Sequence, residues 1–303
     1  MKILITGGLG AVGAPLADEL RKRRNEVLVC DLVHSGGPNY IRCDVSRYRQ
    51  LENLFEVHKF DYVYHLAAEF GRNNGEDFYE NLWMTNAVGT KNMLKMQEKH
   101  GFKMIFASSS EVYGDYTGLM SEDVLDRYPI KQMNDYAITK WVNELQVLNS
   151  AQRHGTKTVR VRLFNTYGPG EEYSEYRSVA CVFCYRALHD MPYTVYLKHH
   201  RQSTYIIDCI NTLANIVDNF KAGEVYNIAG EEYHDIKYLS DLILDYLGKD
   251  DSNVIYTEVE PYNTINKKAD TTKAKKDLKH NPKVALKEGI PITIEWMRKR
   301  YNI

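Results

Sequence analysis

The stretch ITGGLGAVGAPLADEL, Ile5 to Leu20, constrains the fold more than any other. It follows the apolar run KILIT (2–6), opens an amphipathic helical pattern, and carries glycine at positions 7, 8, 10 and 13. The spacing reads as Gly8-x-Gly10-x-x-Gly13 or as Gly7-x-x-Gly10-x-x-Gly13. In either reading one glycine permits a tight turn, one lets a pyrophosphate approach the backbone, and one lets helix pack on strand. The helix start then presents free N–H groups and a partial positive charge to phosphate. Strand before and helix after is the context in which a glycine loop signals dinucleotide binding.

Asp31 closes the second apolar run, 18 residues beyond Gly13. A carboxylate there accepts hydrogen bonds from adenosine ribose hydroxyls and repels a 2′-phosphate. Leu32, Val33 and His34 follow, with no Arg or Lys among them, so the expected cofactor is NAD rather than NADP. Asp44 and Val45, after a third short strand, suit the adenine edge; Asp44 suits a helix start equally.

The first half alternates short apolar runs with longer helical patterns. KILIT (2–6), EVLVC (26–30), YVYHLAA (62–68), KMIFASS (103–109) and KTVRVRLF (157–164) read as strands, several without polar alternation, as expected of strands covered on both faces. Helices are expected over 11–24, 46–58, 75–99 and 134–153, with Ser46 as the N-cap of the second. Strand–helix–strand repetition predicts a doubly wound parallel α/β sheet with right-handed crossovers. The pattern loosens after Asn165 at NTYGPGEEYSEYRS. Residues 1–165 therefore read as the nucleotide-binding domain and 166–303 as a smaller mixed α/β substrate domain. Its helices are expected at 176–190, 208–220, 236–248 and 286–300, and its short strands at TVYL, STYII and EVYNIAG. The last of these, near 224–230, is a candidate to return to the main sheet.

Formal net charge is −1, which gives no bulk attraction to nucleic acid or anionic membrane. No apolar run approaches the ~20 residues of a spanning helix. MKILITGG enters a strand directly, so a cytoplasmic protein is expected. Five cysteines, an odd number, argue against a disulfide framework. Cys181 and Cys184 stand at i, i+3 in SVACVFCYRALHD, which puts both thiols on one packed helix face rather than in a metal site. The basic run 267–283 reads as a solvated helix flanked by turns.

NDYAITKWVNEL places Tyr136 and Lys140 at i, i+4, on one face of a helix. A phenol titrates near ~10. A neighbouring ammonium and a positive nicotinamide both favour the phenolate and bring it into the range of a working base. A hydroxyl from Ser109, at the end of the fifth strand, can bridge substrate oxygen and phenol. Such a group takes the proton from a sugar alcohol while its hydride leaves for NAD.

Thr6-Gly7-Gly8-x-Gly10-x-x-Gly13, Asp31, HLAA (65–68), TNAVGT (85–90), SSSEVYG (108–114), Tyr136-x-x-x-Lys140 and RLFNTYGPG (162–170) occur in that order. As a set they resemble the extended short-chain dehydrogenase/reductase family of NAD-dependent nucleotide-sugar epimerases, dehydratases and decarboxylases, over nearly the whole chain. The resemblance implies a Rossmann-type domain holding NAD and a C-terminal domain for a nucleotide-diphosphate sugar. It implies Ser109, Tyr136 and Lys140 as the catalytic triad. It places Gly7, Gly10, Ala11, Val12, Gly13, Asp31, Leu32, Asp44, Val45, Leu66, Ala67, Ala68, Asn86, Ser108, Tyr136 and Lys140 around NAD. Asn165 and Arg201 fall near the substrate diphosphate, although RQSTYIID departs from the commoner Arg-Asp-Phe. The family also pairs two helices per subunit into a four-helix bundle, here 75–99 and 134–153, which implies a homodimer.

Within SSSEVYG, Ser110 and Glu111 bear on the reaction type. The pair resembles the Thr-Ser-Glu of 4,6-dehydratases and the Ser-Glu of uronic-acid decarboxylases more than the small or neutral residue of 4-epimerases. A ketone at C4 acidifies the C5 hydrogen, and a glutamate can take that proton and deliver it to the C6 hydroxyl. An NDP-hexose 4,6-dehydratase is therefore the leading expectation, with a 4-epimerase or an NDP-uronic acid decarboxylase as alternatives, ahead of a simple NAD-dependent dehydrogenase or a non-catalytic NAD-binding protein. Glu69, Arg72, Asn73 and Asn74 follow the fourth strand at its carboxyl end, where ligands bind in open α/β sheets. Arg72 suits a carboxylate or phosphate and Glu69 a sugar hydroxyl; a solvated loop of mutually paired charges fits equally.

Overall fold

The protein is described by a computed structural model covering residues 1–34 and 37–303. Its central sheet has seven strands: β1 (Lys2–Thr6), β2 (Glu26–Asp31), β3 (Tyr40–Arg42), β4 (Tyr62–His65), β5 (Lys103–Ser109), Thr158–Leu163 and Val225–Ile228. The last lies at one edge, followed by Thr158–Leu163, β5, β4, β1, β2 and β3. The paired registers run parallel, Ile3 opposite both Val27 and Tyr62, and Tyr62 opposite Lys103. The expected return of the segment near 224–230 to this sheet is observed. The winding direction reverses between β1 and β4, and ligands of such sheets bind at the carboxyl ends there. The glycine loop, Asp31, Leu66–Glu69 and Ser109 all sit at those ends.

β1 and β4 are buried along nearly their whole length, which explains their unbroken apolar sequence. Helix α1 (Gly13–Lys22) buries Leu16, Ala17 and Leu20, and α2 (Tyr48–Val57) buries Leu51, Leu54 and Phe55. The α2 residues join a core in which the Phe55 and Phe102 rings stack at 5.1 Å. Ser46 does not cap α2. Its backbone N–H instead donates to Asp44 Oδ1 at 2.9 Å, and the helix begins after Arg47.

The helix expected over 75–99 is broken. It comprises α3 (Arg72–Asp77), α4 (Tyr79–Trp83), a π-helical turn at Met84–Val88 and α5 (Gly89–His100). Phe78, at φ −128°, interrupts the first two pieces. The π turn contains Asn86, and such bulges frequently mark functional positions. The long helix Asp135–His154 is continuous: Asn134 caps it by accepting from the Ala137 N–H at 2.9 Å, and Gly155 ends it in the left-handed conformation.

Two compact units divide the chain. The first comprises 1–112, 134–162 and 210–226; the second comprises 113–133, 163–209 and 227–303. The division is discontinuous, with more crossings than the expected cut after Asn165 and return near 224–230. In the second unit the helices Val179–Leu188, Ile236–Leu247 and Leu286–Tyr301 accompany short two-stranded sheets. Cys181 and Cys184 are both buried on the first of these helices. The strand expected at STYII is only Thr204–Tyr205, and a helix starts at Ile206. Buried Ile206, Cys209, Ile210 and Leu213 follow a helical period that the β-branched pair Ile206-Ile207 conceals. Among the described residues no helix is long and apolar enough to cross a membrane.

A methyl group on Gly13 would fall on the Gly7 carbonyl oxygen and within 2.8 Å of the Gly8 Cα. Gly13→Ala is expected to lower the thermal midpoint and the fraction of protein purified with bound NAD, read by calorimetry and by absorbance after denaturation. An unchanged midpoint and NAD content would contradict this loop packing.

Candidate active site

The glycine loop closes on itself through Gly10 N–H to Gly7 C=O at 3.2 Å and Ala14 N–H to Gly10 C=O at 3.0 Å. Gly7 has φ +67°, and an added Cβ would lie 2.9 Å from the Ala67 backbone. The loop therefore presses against the segment after β4, where Ala67 N–H donates to Thr6 Oγ1 at 3.2 Å. Helix α1 starts with no side-chain cap; its Ala14 and Leu16 N–H groups are bonded to Gly10 and Val12 and Pro15 carries none, so what its start offers an anion is chiefly the positive end of the helix. Asp31 ties the loop to β2, accepting from Leu9 N–H at 3.0 Å and Leu32 N–H at 2.7 Å. Asp44 is engaged in the turn before α2, and Val45 is buried with its carbonyl accepting from Asn92.

Asn86 is 1% exposed. Its Nδ2 donates to the Glu69 carbonyl at 2.9 Å and to Thr139 Oγ1 at 3.1 Å, while its Oδ1 is buried without a partner. An orphaned buried acceptor calls for a ligand or water. With the uncapped helix start, the close-packed glycines and the ribose-level carboxylate, these residues fit a dinucleotide. Ser108 departs from the expected cofactor role in its side chain: the hydroxyl donates to Glu144 Oε1 at 2.6 Å, inside the protein.

Ser109, Tyr136 and Lys140 come together as the spacing suggests. The Ser109 hydroxyl lies near enough to the Tyr136 phenol to favour its ionisation. Lys140 Nζ donates to the Ala107 carbonyl at 2.8 Å and lies 5.8 Å from the Tyr136 ring centroid. Burial pulls the Lys140 ammonium down to about 8, against the opposing pull of Glu144. The Tyr136 phenol is pushed well above its ordinary value by burial; the Ser109 hydroxyl opposes this and the Glu111 charge adds to it. Burial therefore biases Tyr136 toward the neutral phenol; of the two charges expected to favour the phenolate, the ammonium and the nicotinamide, the chain supplies the first.

Glu111 lies in the 3₁₀ turn Ser110–Tyr113, with its backbone N–H bonded to Ser109 Oγ at 3.2 Å. Ser110 is buried beside it. Glu69 Oε2 accepts from Asn74 Nδ2 at 3.2 Å, and Arg72 opens α3 directly after Gly71, whose φ is +97°. In the second unit Asn165 adopts φ +36°, unusual for a non-glycine residue, with a buried unpartnered Oδ1. Arg201 is 4% exposed, and its Nη1 donates to the carbonyls of His200 at 2.8 Å and Ile265 at 2.9 Å. Sequence reasoning missed Glu144, Arg160 and Arg162, which form a buried ionic cluster one helical turn beyond Lys140. The signal was the acid four residues after Lys140.

A parallel doubly wound sheet with this loop and this buried Ser–Tyr–Lys arrangement defines an NAD-binding α/β protein built for proton and hydride chemistry. The chain belongs to the NAD dependent epimerase/dehydratase family, whose model matches residues 3–229. It is 32% identical over 320 residues to the UDP-N-acetyl-alpha-D-glucosaminuronate decarboxylase of Bacillus cytotoxicus, covering 99% of each chain. It is 29% identical to UDP-glucuronic acid decarboxylase 6 of Arabidopsis thaliana, covering 100% of this chain and 90% of that one. Among solved structures, the UDP-glucuronic acid 4-epimerase of Bacillus cereus, in complex with UDP-glucuronic acid and NAD, superposes with a TM-score of 0.88 at 26% identity, covering 99% of this chain and 100% of that one. The protein is thus an NAD-dependent enzyme of the nucleotide-sugar epimerase, dehydratase and decarboxylase type.

The Lys140 ammonium gives a stability signature. Its folded value of about 8 lies below the ordinary 10.5, so between these pH values the unfolded chain holds a proton that the folded chain has lost. Stability then rises with pH across that window. In cofactor-stripped protein, the thermal midpoint of wild type minus that of Lys140→Met is expected to increase as pH is raised from about 8 toward 10. A flat difference would contradict the buried ammonium.

Proposed function

We propose that the protein is an NAD-dependent decarboxylase of a nucleotide-diphosphate hexuronic acid, acting through a transient 4-keto sugar. The observation that carries the reading is the buried Ser109–Tyr136–Lys140 centre with Glu111 beside it, in a chain whose full-length relatives bear uronate decarboxylase names. Those relatives are named for loss of carbon dioxide rather than water, so the decarboxylase alternative replaces the 4,6-dehydratase as the leading reading. Glycine-loop residues Gly7, Gly10, Ala11, Val12 and Gly13 hold the pyrophosphate, and Asp31 holds the ribose. Asn86 borders the nicotinamide end, and Asn165 and Arg201 take the substrate diphosphate.

Bound NAD supplies a hydride acceptor and donor and a positive charge. Tyr136, ionised beside that charge and Lys140, takes the proton of the C4 hydroxyl, with Ser109 bridging oxygen and phenol. The resulting C4 ketone stands β to the C6 carboxylate. Carbon dioxide departs, and the electron pair of the C5–C6 bond passes into the enolate at O4. Ser109 and protonated Tyr136 donate to that oxygen as its charge develops. C5 then takes a proton from solvent, with Glu111 placed to relay it, and O4 recovers the Tyr136 proton as C4 regains its hydride. A 4-epimerase acting on UDP-glucuronic acid is the second reading, favoured by the solved neighbour of that name.

Incubation with NAD and either UDP-glucuronic acid or its 2-acetamido analogue is expected to give a product lighter by carbon dioxide in mass spectrometry, without accumulation of NADH absorbance. Tyr136→Phe is expected to slow this by about 10²–10⁴-fold. An unchanged mass with a C4 epimer seen by NMR would establish the second reading. Loss of water from a neutral NDP-hexose would restore the dehydratase.

The homodimer is part of the same proposal. Met84 and Val88 beside α5, and Leu145 and Leu148 on helix Asp135–His154, are large apolar side chains each 38–47% exposed within the first unit. Burying such patches favours association. The double substitution Leu145→Asp, Leu148→Asp is expected to halve the mass measured by light scattering. An unchanged dimer, or a monomeric wild type, would contradict this surface.

A further inference from the structure

The three residues that end β5 each address a different turn of helix Asp135–His154. The Ala107 carbonyl accepts from Lys140 Nζ at 2.8 Å, the Ser108 hydroxyl donates to Glu144 Oε1 at 2.6 Å, and the Ser109 hydroxyl meets the Tyr136 phenol. Glu144 is fully buried and takes both arginines of the strand Thr158–Leu163. Arg162 Nε donates to its Oε1 at 2.9 Å and Arg162 Nη2 to its Oε2 at 2.8 Å, while Arg160 Nη1 adds a bond to Oε2 at 3.0 Å.

One arginine, held by two bonds, is sufficient to pair a buried carboxylate. The second leaves the cluster with an excess positive charge one helical turn from Lys140. A scaffold built for stability alone gains little from burying that extra charge. We propose that Glu144, clasped by Arg160 and Arg162, is a positioning residue that fixes the end of β5 and sets the positive field under which Tyr136 ionises. This rests on the reading of Ser109, Tyr136 and Lys140 as the reactive centre.

The other charged and titratable groups around that centre are few. Glu111, from the 3₁₀ turn, acts on Tyr136 and opposes its ionisation. His65, from β4, lies between Thr6 Oγ1 at 2.9 Å and Thr90 Oγ1 at 3.2 Å, and burial, with Lys140 adding to it, holds it down to about 3, so it is neutral. Asp135, next to Tyr136 on its own helix, accepts from Trp83 Nε1 at 3.1 Å. Glu76, from α3, accepts from the Asp135 N–H at 3.3 Å. The charges that reach the centre through the end of β5 are those of Glu144 and its two arginines, and Glu144 also supports the charge on Lys140.

The test is the ionisation of Tyr136 in NAD-loaded protein, read as the tyrosinate ultraviolet difference spectrum against Tyr136→Phe across pH. Arg160→Met, which leaves the Arg162–Glu144 pair and its support of Lys140 in place, is expected to move the midpoint to higher pH by about one unit. Glu144→Gln, which withdraws the support that keeps the Lys140 ammonium charged beside the phenol, is expected to move it to higher pH as well. Glu144→Asp is expected to return most of the wild-type midpoint. Should Glu144→Gln fail to fold, the Arg160→Met shift decides alone, since its Arg162–Glu144 pair is intact. Unmoved midpoints with a lowered thermal midpoint would reduce the cluster to scaffold and overturn the proposal. The titration needs no sugar, so failure of every uronate as substrate would sink the decarboxylase reading while leaving this result to stand or fall separately.

Discussion

The arrangement depends on keeping an ammonium charged in a buried place. Lys140 is 4% exposed, and burial opposes its charge strongly enough to bring it within reach of neutral pH. A carbonyl from β5 and a carboxylate one turn away hold it there. The same burial drives Tyr136 the opposite way, toward the neutral phenol. Two groups that suit proton transfer are thus biased against their working forms by one desolvated site. Under the proposed function, a bound dinucleotide would bring the positive charge that favours the phenolate, so cofactor binding would condition the base as well as supply hydride.

This explains why the sheet matters to the chemistry. Reversal of winding between β1 and β4 opens the carboxyl ends of both strands to one ligand. The glycine loop packs against Ala67 so closely that a side chain at Gly7 has no room. Asn86, in its π turn, reaches both the Glu69 carbonyl after β4 and Thr139, the residue before Lys140. Loop, strand end and catalytic helix are therefore linked by short polar contacts within a single unit, and displacement of one is felt by the others.

Much of this is legible in the sequence, for physical reasons. Strands buried on both faces leave unbroken apolar runs, so β1 and β5 read with their observed limits. The glycine loop and Tyr136-x-x-x-Lys140 are local patterns whose spacing carries the geometry directly. The broken helix between 72 and 100 is not legible, because no Gly or Pro marks the break at Phe78, and Gly89 after the π turn is a residue that continuous helices also tolerate. Ser46 resembles a cap, but Asp44 two residues earlier captures its amide. The resemblance places Ser108 beside the cofactor, and alternation along the strand turns its hydroxyl inward to Glu144, so only its backbone faces the loop side. The Glu144 cluster joins residues 16 and 18 positions apart across strand and helix. Sequence spacing does not encode such a contact.

The account stands on one contact: the C4 oxygen of a nucleotide-bound sugar meeting the Tyr136 phenol and the Ser109 hydroxyl. A crystal structure of the Tyr136→Phe variant with NAD and UDP-glucuronic acid measures it most directly. The account predicts O4 within hydrogen-bonding distance of Ser109 Oγ and against the edge of the substituted phenyl ring, with the C6 carboxylate near Glu111. A sugar bound with C4 turned away from both positions would contradict it.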